Sequence, residues 1–369
     1  MPRARDPVLC PCNDCHPLGL LQQPDTAKRH MNLQKLARER QEAADAVLQE
    51  SRPSNSAQSL DDDIVLDSDN ADAFPPPHSL LLKALPLKHT IGLQSVAIHL
   101  TSPDANVVEN AVWALGNVLG DCARLRDRVE GEGGVTALVK LVDRGEQSFE
   151  KAQRRAVWAI FSYLYPWSSR KLPITRINHV LPCLARYIQE TPVNEANMES
   201  IEYAVKSLNR IRKHHLQRSD FIGTGVVPRL VKLLANSSSS IALQKHVLKC
   251  LGYLVGGTDD ETDVAVDAGL LPGLLAPLET TNRDLCRLAL RSTSNVAAGS
   301  HSQVYALLDS GLLKPVVRIL MDDQESTICR REACWTISNL TKKISGDAKL
   351  AQAFIEGCCV EALSTALLL

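Results

Sequence analysis

The chain has 369 residues and a 44% apolar content, enough to bury a sizeable core, but only 4% is aromatic, so Leu, Val, Ile and Ala must do the filling. Its 41 basic and 42 acidic residues give a formal net charge of −1, which excludes a whole-molecule field drawing in nucleic acid or an anionic membrane. No apolar run approaches the roughly 20 residues of a membrane span, and no apolar leader with a small-residue cleavage site opens the chain, so a soluble intracellular protein is expected.

Residues 1–80 are rich in Pro, Ser, Asp and Gln and read as a largely disordered region. Cys10, Cys12 and Cys15 with His16 or His30 carry zinc-ligand chemistry but lack the paired spacing of an ordinary finger. Reduced thiols in a tail are therefore expected, with no metal or cofactor. Over 26–50, Met31, Leu33, Leu36, Ala37, Ala44, Val47 and Leu48 fall partly at helical spacing and predict one short amphipathic helix. Further on, Ile64, Val65 and Leu66 sit among acids from Asp61 to Asp67. Such a segment reads as an acidic linker, or as a strand added to a partner's sheet edge. Pro75, Pro76 and Pro77 then stiffen the approach to the folded part, placed at 81–369.

From there the sequence repeats itself. Trp113 in AVWALGN is followed at equivalent places by Trp158, Tyr203, Lys249, Arg291 and Trp335, at intervals of 45, 45, 46, 42 and 44 residues. Independently, Gly225, Gly269, Gly311 and Gly357 open apolar segments at intervals of 44, 42 and 46. A period of about 40–47 residues with helical patterning throughout predicts an all-α solenoid of two- or three-helix repeats, here about six. The glycine marks a sharp helix-to-helix corner, where a positive φ or a close approach is needed. The remaining cysteines, such as Cys250, Cys286 and Cys334, fall singly in apolar patterns and read as small buried hydrophobes.

AVWALGNVLGD (Ala111 to Asp121), AVWAIFS (Ala156 to Ser162) and EACWTISNLT (Glu332 to Thr341) closely resemble the third helices of armadillo repeats in the importin alpha family, in register from about Thr90 onward. The resemblance implies a right-handed armadillo solenoid that captures lysine-rich nuclear localisation signals in extended form, in cytoplasm and nucleus. Its chemistry follows from the residues. Trp and Asn at i and i+4 share a helix face, an Asn amide both donates to and accepts from a peptide main chain, and indole faces pack and attract lysine or arginine at about 0.5–2 kcal/mol per contact. The expected peptide-binding residues are Trp113, Asn117, Asp121 and Trp158, and secondarily Asn295, Trp335 and Asn339. By resemblance, Asp121 matches the acid that receives the signal's key lysine.

The match is uneven. Ser162, Ser207 and Tyr253 stand where Asn is usual, while Lys249 and Arg291 replace aromatics and would repel a cationic ligand locally. The family's importin beta contact calls for a strongly basic N-terminal segment, yet residues 1–50 carry seven Lys or Arg against seven Asp or Glu. The chain ends on Leu367, Leu368 and Leu369 with no polar capping repeat after them, the pattern of a diverged or truncated member. No phosphate-cradling loop, HExxH or GxSxG is present, so no catalysis is expected. The alternatives are a non-transport armadillo scaffold, and a zinc-bearing nucleic-acid binder with an armadillo body.

Overall fold

A computed structural model describes residues 99–121, 123–164, 173–213, 217–344 and 347–368, all within one compact unit, Leu85–Leu369. The disordered reading of 1–80, the helix at 26–50, the Cys10, Cys12 and Cys15 cluster and the acidic segment at 61–67 lie outside the described residues.

Every regular element among the described residues is helical. The first unit contributes its last helix, α1 (Ala105–Asp121), and the second contributes α2 (Ala123–Gly131), α3 (Gly134–Val142) and α4 (Glu150–Tyr163). Next come α5 (Ile174–Glu190) with α6 (Glu195–Arg212), then α7 (Arg218–Gly223), α8 (Val227–Ala235) and α9 (Ile241–Leu254). The fifth unit is α10 (Asp259–Asp267), α11 (Leu270–Gly273), α12 (Leu275–Glu279) and α13 (Arg283–Ala297), and the sixth is α14 (His301–Asp309), α15 (Leu313–Met321) and α16 (Thr327–Ile344). A first and a second helix follow, α17 (Ala348–Glu356) and α18 (Cys359–Leu368).

The second, fourth, fifth and sixth units each show a short first helix before the glycine corner, then a second and a third helix, while the third unit shows two helices among the described residues. The six markers from Trp113 to Trp335 lie on the third helices α1, α4, α6, α9, α13 and α16, and these pack on one another in sequence order. The core beneath them is aliphatic: Leu115, Leu119, Ile160, Ile201, Leu208 and Leu251 are sealed from solvent, each stabilising by about 1.5–3 kcal/mol on burial.

Local chemistry sets the boundaries. Asn194, Ser240 and Asn282 cap third helices by accepting the N–H of Asn197, Leu243 and Leu285. Thr258 and Ser300 form capping boxes with Glu261 and Gln303 on first helices. The fifth unit's second helix is broken in two, because Pro277 lacks the N–H that would bond to the Gly273 carbonyl. Gly225, Gly269 and Gly311 turn at φ of 69°, 90° and 79°, as their series predicts, and Gly133 at 78° is an earlier member that the series omits. Gly357 meets the other half of the expectation: its φ is −78° and Cys358 takes the left-handed position at 55°, but a Cβ on Gly357 would lie 2.6 Å from Leu313 Cδ2, so the corner needs the close approach.

Units are also laced by polar ties. Tyr163 donates to Glu130 at 2.9 Å, and Arg176 pairs with Glu130 at 2.6 Å and with Asp127, joining α4, α2 and α5. Burial first, then the Glu130 bond, pushes the Tyr163 phenol well above its usual range, so it remains a donor.

Gly269→Ala isolates the backbone term, because an added Cβ would come no closer than 3.9 Å to Val231 while φ stays at +90°. It should destabilise by about 1–2 kcal/mol, read as a lower denaturation midpoint. Gly223→Ala, in open space without a positive φ, should be neutral or raise the midpoint.

Candidate functional site

The N-terminal end of the third-helix row presents the best-formed site. Trp113 is 53% exposed despite lying in an otherwise apolar stretch of α1. One turn on, Asn117 is half-buried and its amide has no hydrogen-bond partner among the described residues. Asp121, one turn further and last in α1, is half-buried, and its carboxylate has no ion pair among the described residues. An exposed indole, an amide with unused donor and acceptor, and an unpaired acid thus stand at successive turns of one helix.

Trp158 stands at the register of Trp113 on the adjacent helix α4, but is half-buried. Its ring occupies the space beside Gly116 where a side chain would start: a Cβ built on that glycine would be 2.2 Å from Cζ3 and 2.8 Å from Cε3. The WALGN glycine therefore has a structural reason, since only a missing side chain lets the next unit's indole settle there. Trp158 thereby holds α4 to α1.

The centre of the row is occupied by the protein itself. The Arg210 guanidinium lies 3.4 Å from the centroid of the Phe161 ring and donates to the Phe161 carbonyl at 2.6 Å. Phe161 in turn contacts Tyr203, with ring centroids 5.1 Å apart. An internal cation thus covers the Phe161 aromatic face. Ser162 and Ser207, at the Asn positions, turn inward to the carbonyls of Trp158 and Tyr203 at 3.1 and 2.8 Å. Neither Phe161 nor Arg210 was among the expected site residues. Their signal is positional: they follow the markers Trp158 and Tyr203 by three and seven residues, on the same helix face as Asn would.

The C-terminal end differs from the first despite the same Trp and Asn spacing. Asn339 is 3% exposed and its amide nitrogen donates to the carbonyl and hydroxyl of Ser294, at 3.0 and 3.1 Å, tying α16 to α13. Trp335 is half-buried. Asn295 is half-buried, with an amide that has no hydrogen bond among the described residues. Arg291 beside it is exposed. Asp284 is held below the usual carboxylate range, chiefly by its 3.0 Å bond from Lys245 and then by the charges of Lys245, Arg287 and Lys249. Lys245, Arg287, Lys249 and Arg291 thus gather positive charge at this end, where the first end presents Asp121.

Among the described residues no group of three or more His, Cys, Asp or Glu is arranged to hold a metal, and no helix is long and apolar enough to cross a membrane.

A family profile described as "Armadillo/beta-catenin-like repeat" matches residues 300–342, which cover α14, α15 and most of α16. The chain is 30% identical over 237 residues to importin subunit alpha-1b of Oryza sativa subsp. japonica, covering 64% of this chain and 34% of that protein. It is 32% identical over 219 residues to importin subunit alpha-1a of the same species, covering 59% and 40%. To importin subunit alpha-2 of Caenorhabditis elegans it is 28% identical over 249 residues, covering 68% and 37%. The matches thus span well under half the length of these relatives. Among solved structures, a computationally designed armadillo repeat protein for modular peptide recognition superposes with a TM-score of 0.56 at 20% identity, over 67% of this chain and 99% of that one. A second design, in complex with peptide (KR)4, gives a TM-score of 0.53 at 20% identity, over 67% and 98%. The fold is an armadillo-repeat solenoid.

Gly116→Ala should destabilise by about 1–3 kcal/mol, because the new methyl displaces the Trp158 ring from its seat. Adding Trp158→Leu should recover part of the loss. Strictly additive melting-temperature changes in the double variant would show that the two residues do not share a contact.

Proposed function

We propose that this chain, a divergent armadillo-repeat relative of the importin alpha subunits, is an adaptor that binds lysine-rich nuclear localisation signals in extended form for import. The observation that carries this reading is the line of Trp113, Asn117 and Asp121 on α1, exposed or half-buried. Asn117 offers an amide to the ligand's main chain. Trp113 and Trp158 pack a lysine stem, at about 0.5–2 kcal/mol per indole. Asp121 receives the ammonium group through a charge-assisted hydrogen bond. The adaptor holds its ligand without transforming it, and its work places it in both cytoplasm and nucleus.

Asn295, Trp335 and Asn339 contribute differently in this proposal. With its amide nitrogen bonded to Ser294, Asn339 supports the row rather than reaching a ligand, while Asn295 keeps an amide available. The rival function, an armadillo scaffold that has lost transport, draws on the distance from the relatives and on the balanced charge of residues 1–50. Competition with importin beta separates the two, since an import adaptor must engage that partner and a scaffold need not.

Titrating a fluorescent lysine-rich peptide should give saturable binding that Asp121→Lys weakens at least about tenfold, or about 1.4 kcal/mol. Equal affinity in that variant would remove the lysine pocket.

A further inference from the structure

The C-terminal half of the third-helix row carries a cationic array that a second lysine-rich segment would not tolerate. At the register of Trp113, helices α9, α13 and α16 place Lys249, Arg291 and Trp335, and one turn earlier Lys245, Arg287 and Arg331. Because α9 packs on α13 and α13 on α16, equal register brings these six side chains to one face, three across and two deep.

The three arginines of this array are left without a direct partner among the described residues. Arg291 and Arg331 are exposed and Arg287 is half-buried, and none of the three guanidinium groups makes a hydrogen bond or ion pair among the described residues. The nearby carboxylates are already engaged or sealed. Asp284 accepts from Lys245 at 3.0 Å, Glu325 pairs with Arg283, and Glu332 is only 8% exposed. At about 8–10 Å between adjacent helices, unpaired cations on one face repel a further cation and focus an anion.

We infer that the α9, α13 and α16 face docks an extended acidic polypeptide. Arg287, Arg291 and Arg331 pair with its carboxylates, for which the guanidinium fork is shaped. The Asn295 amide, half-buried and without a hydrogen bond among the described residues, holds its main chain by donating and accepting at once. One helix-to-helix step corresponds to about three residues of extended chain. Three helices therefore read a stretch of about six to nine residues, with acids roughly every third position. A peptide fits better than nucleic acid on two counts: the Lys245–Asp284 pair interrupts a continuous phosphate track, and an amide suits a polypeptide backbone. The inference stands independently of the lysine site on α1.

The test is fluorescence anisotropy on the full chain with a labelled 12-residue Glu-rich peptide at low salt. Saturable binding is expected, weakened at least about tenfold by Arg287→Glu with Arg291→Glu and less by Arg291→Gln at its exposed position. Arg318→Glu makes one such Arg-to-Glu change on the exposed face of α15, off the third-helix row, and should retain the wild-type affinity. A lysine-rich peptide should bind the double variant at least as well as wild type. Absence of acidic-peptide binding up to about 1 mM, indifference to both arginine substitutions, or an oligothymidylate that binds tighter and displaces the peptide would each overturn the inference.

Discussion

An armadillo unit has too little interior to bury its own apolar residues, and the third helix suffers most because it is apolar on more than one side. Only the third helix of the next unit can cover it, so lateral helix-on-helix stacking underlies everything else in the molecule. The contact between Trp158 and Gly116 shows how close that stacking is: an indole rests where a side chain is missing. Asn339 on Ser294 and Asn209, which donates to the His246 carbonyl at 2.7 Å, make the same junctions with polar atoms. The surface that faces a ligand is what these contacts leave over, and its composition is constrained by them.

That constraint explains which parts of the molecule could be read in advance. The repeat period was legible because each third helix needs the same pattern to meet its neighbours, and the corner glycines kept step with it. The break between α11 and α12 was written in Pro277. The caps at Asn194, Ser240 and Asn282 recur at the repeat step and offered a third marker, obscured because two different residue types do the same work. Cys358 in place of a left-handed Gly357 could not be foreseen, since the residue pair leaves the choice to tertiary packing.

The site was legible only in part, for a related reason. Trp and Asn four residues apart look the same on α1 and on α16, but the fate of the amide depends on a residue about one repeat away in sequence. Ser294 meets Asn339, whereas nothing among the described residues meets Asn117. Arg210 likewise reaches Phe161 across 49 residues. Such pairings depend on the register between neighbouring units, which a pattern within one unit does not contain. Charge carried over better: the substitution of aromatics by Lys249 and Arg291 already pointed to a change of sign along the row, and their neighbours Arg287 and Arg331 extend it.

The arginine laid across Phe161 separates the two binding zones proposed at the ends of the row. A polypeptide touching both behaves as a bivalent ligand, because the stretch bridging the self-filled middle adds no grip of its own and acts as a tether. Its length then sets the effective concentration of the second zone's partner once the first has bound, near the millimolar range for a short flexible bridge and lower for one too short or too long. Selectivity in such a receptor lies as much in the distance between two motifs as in either motif.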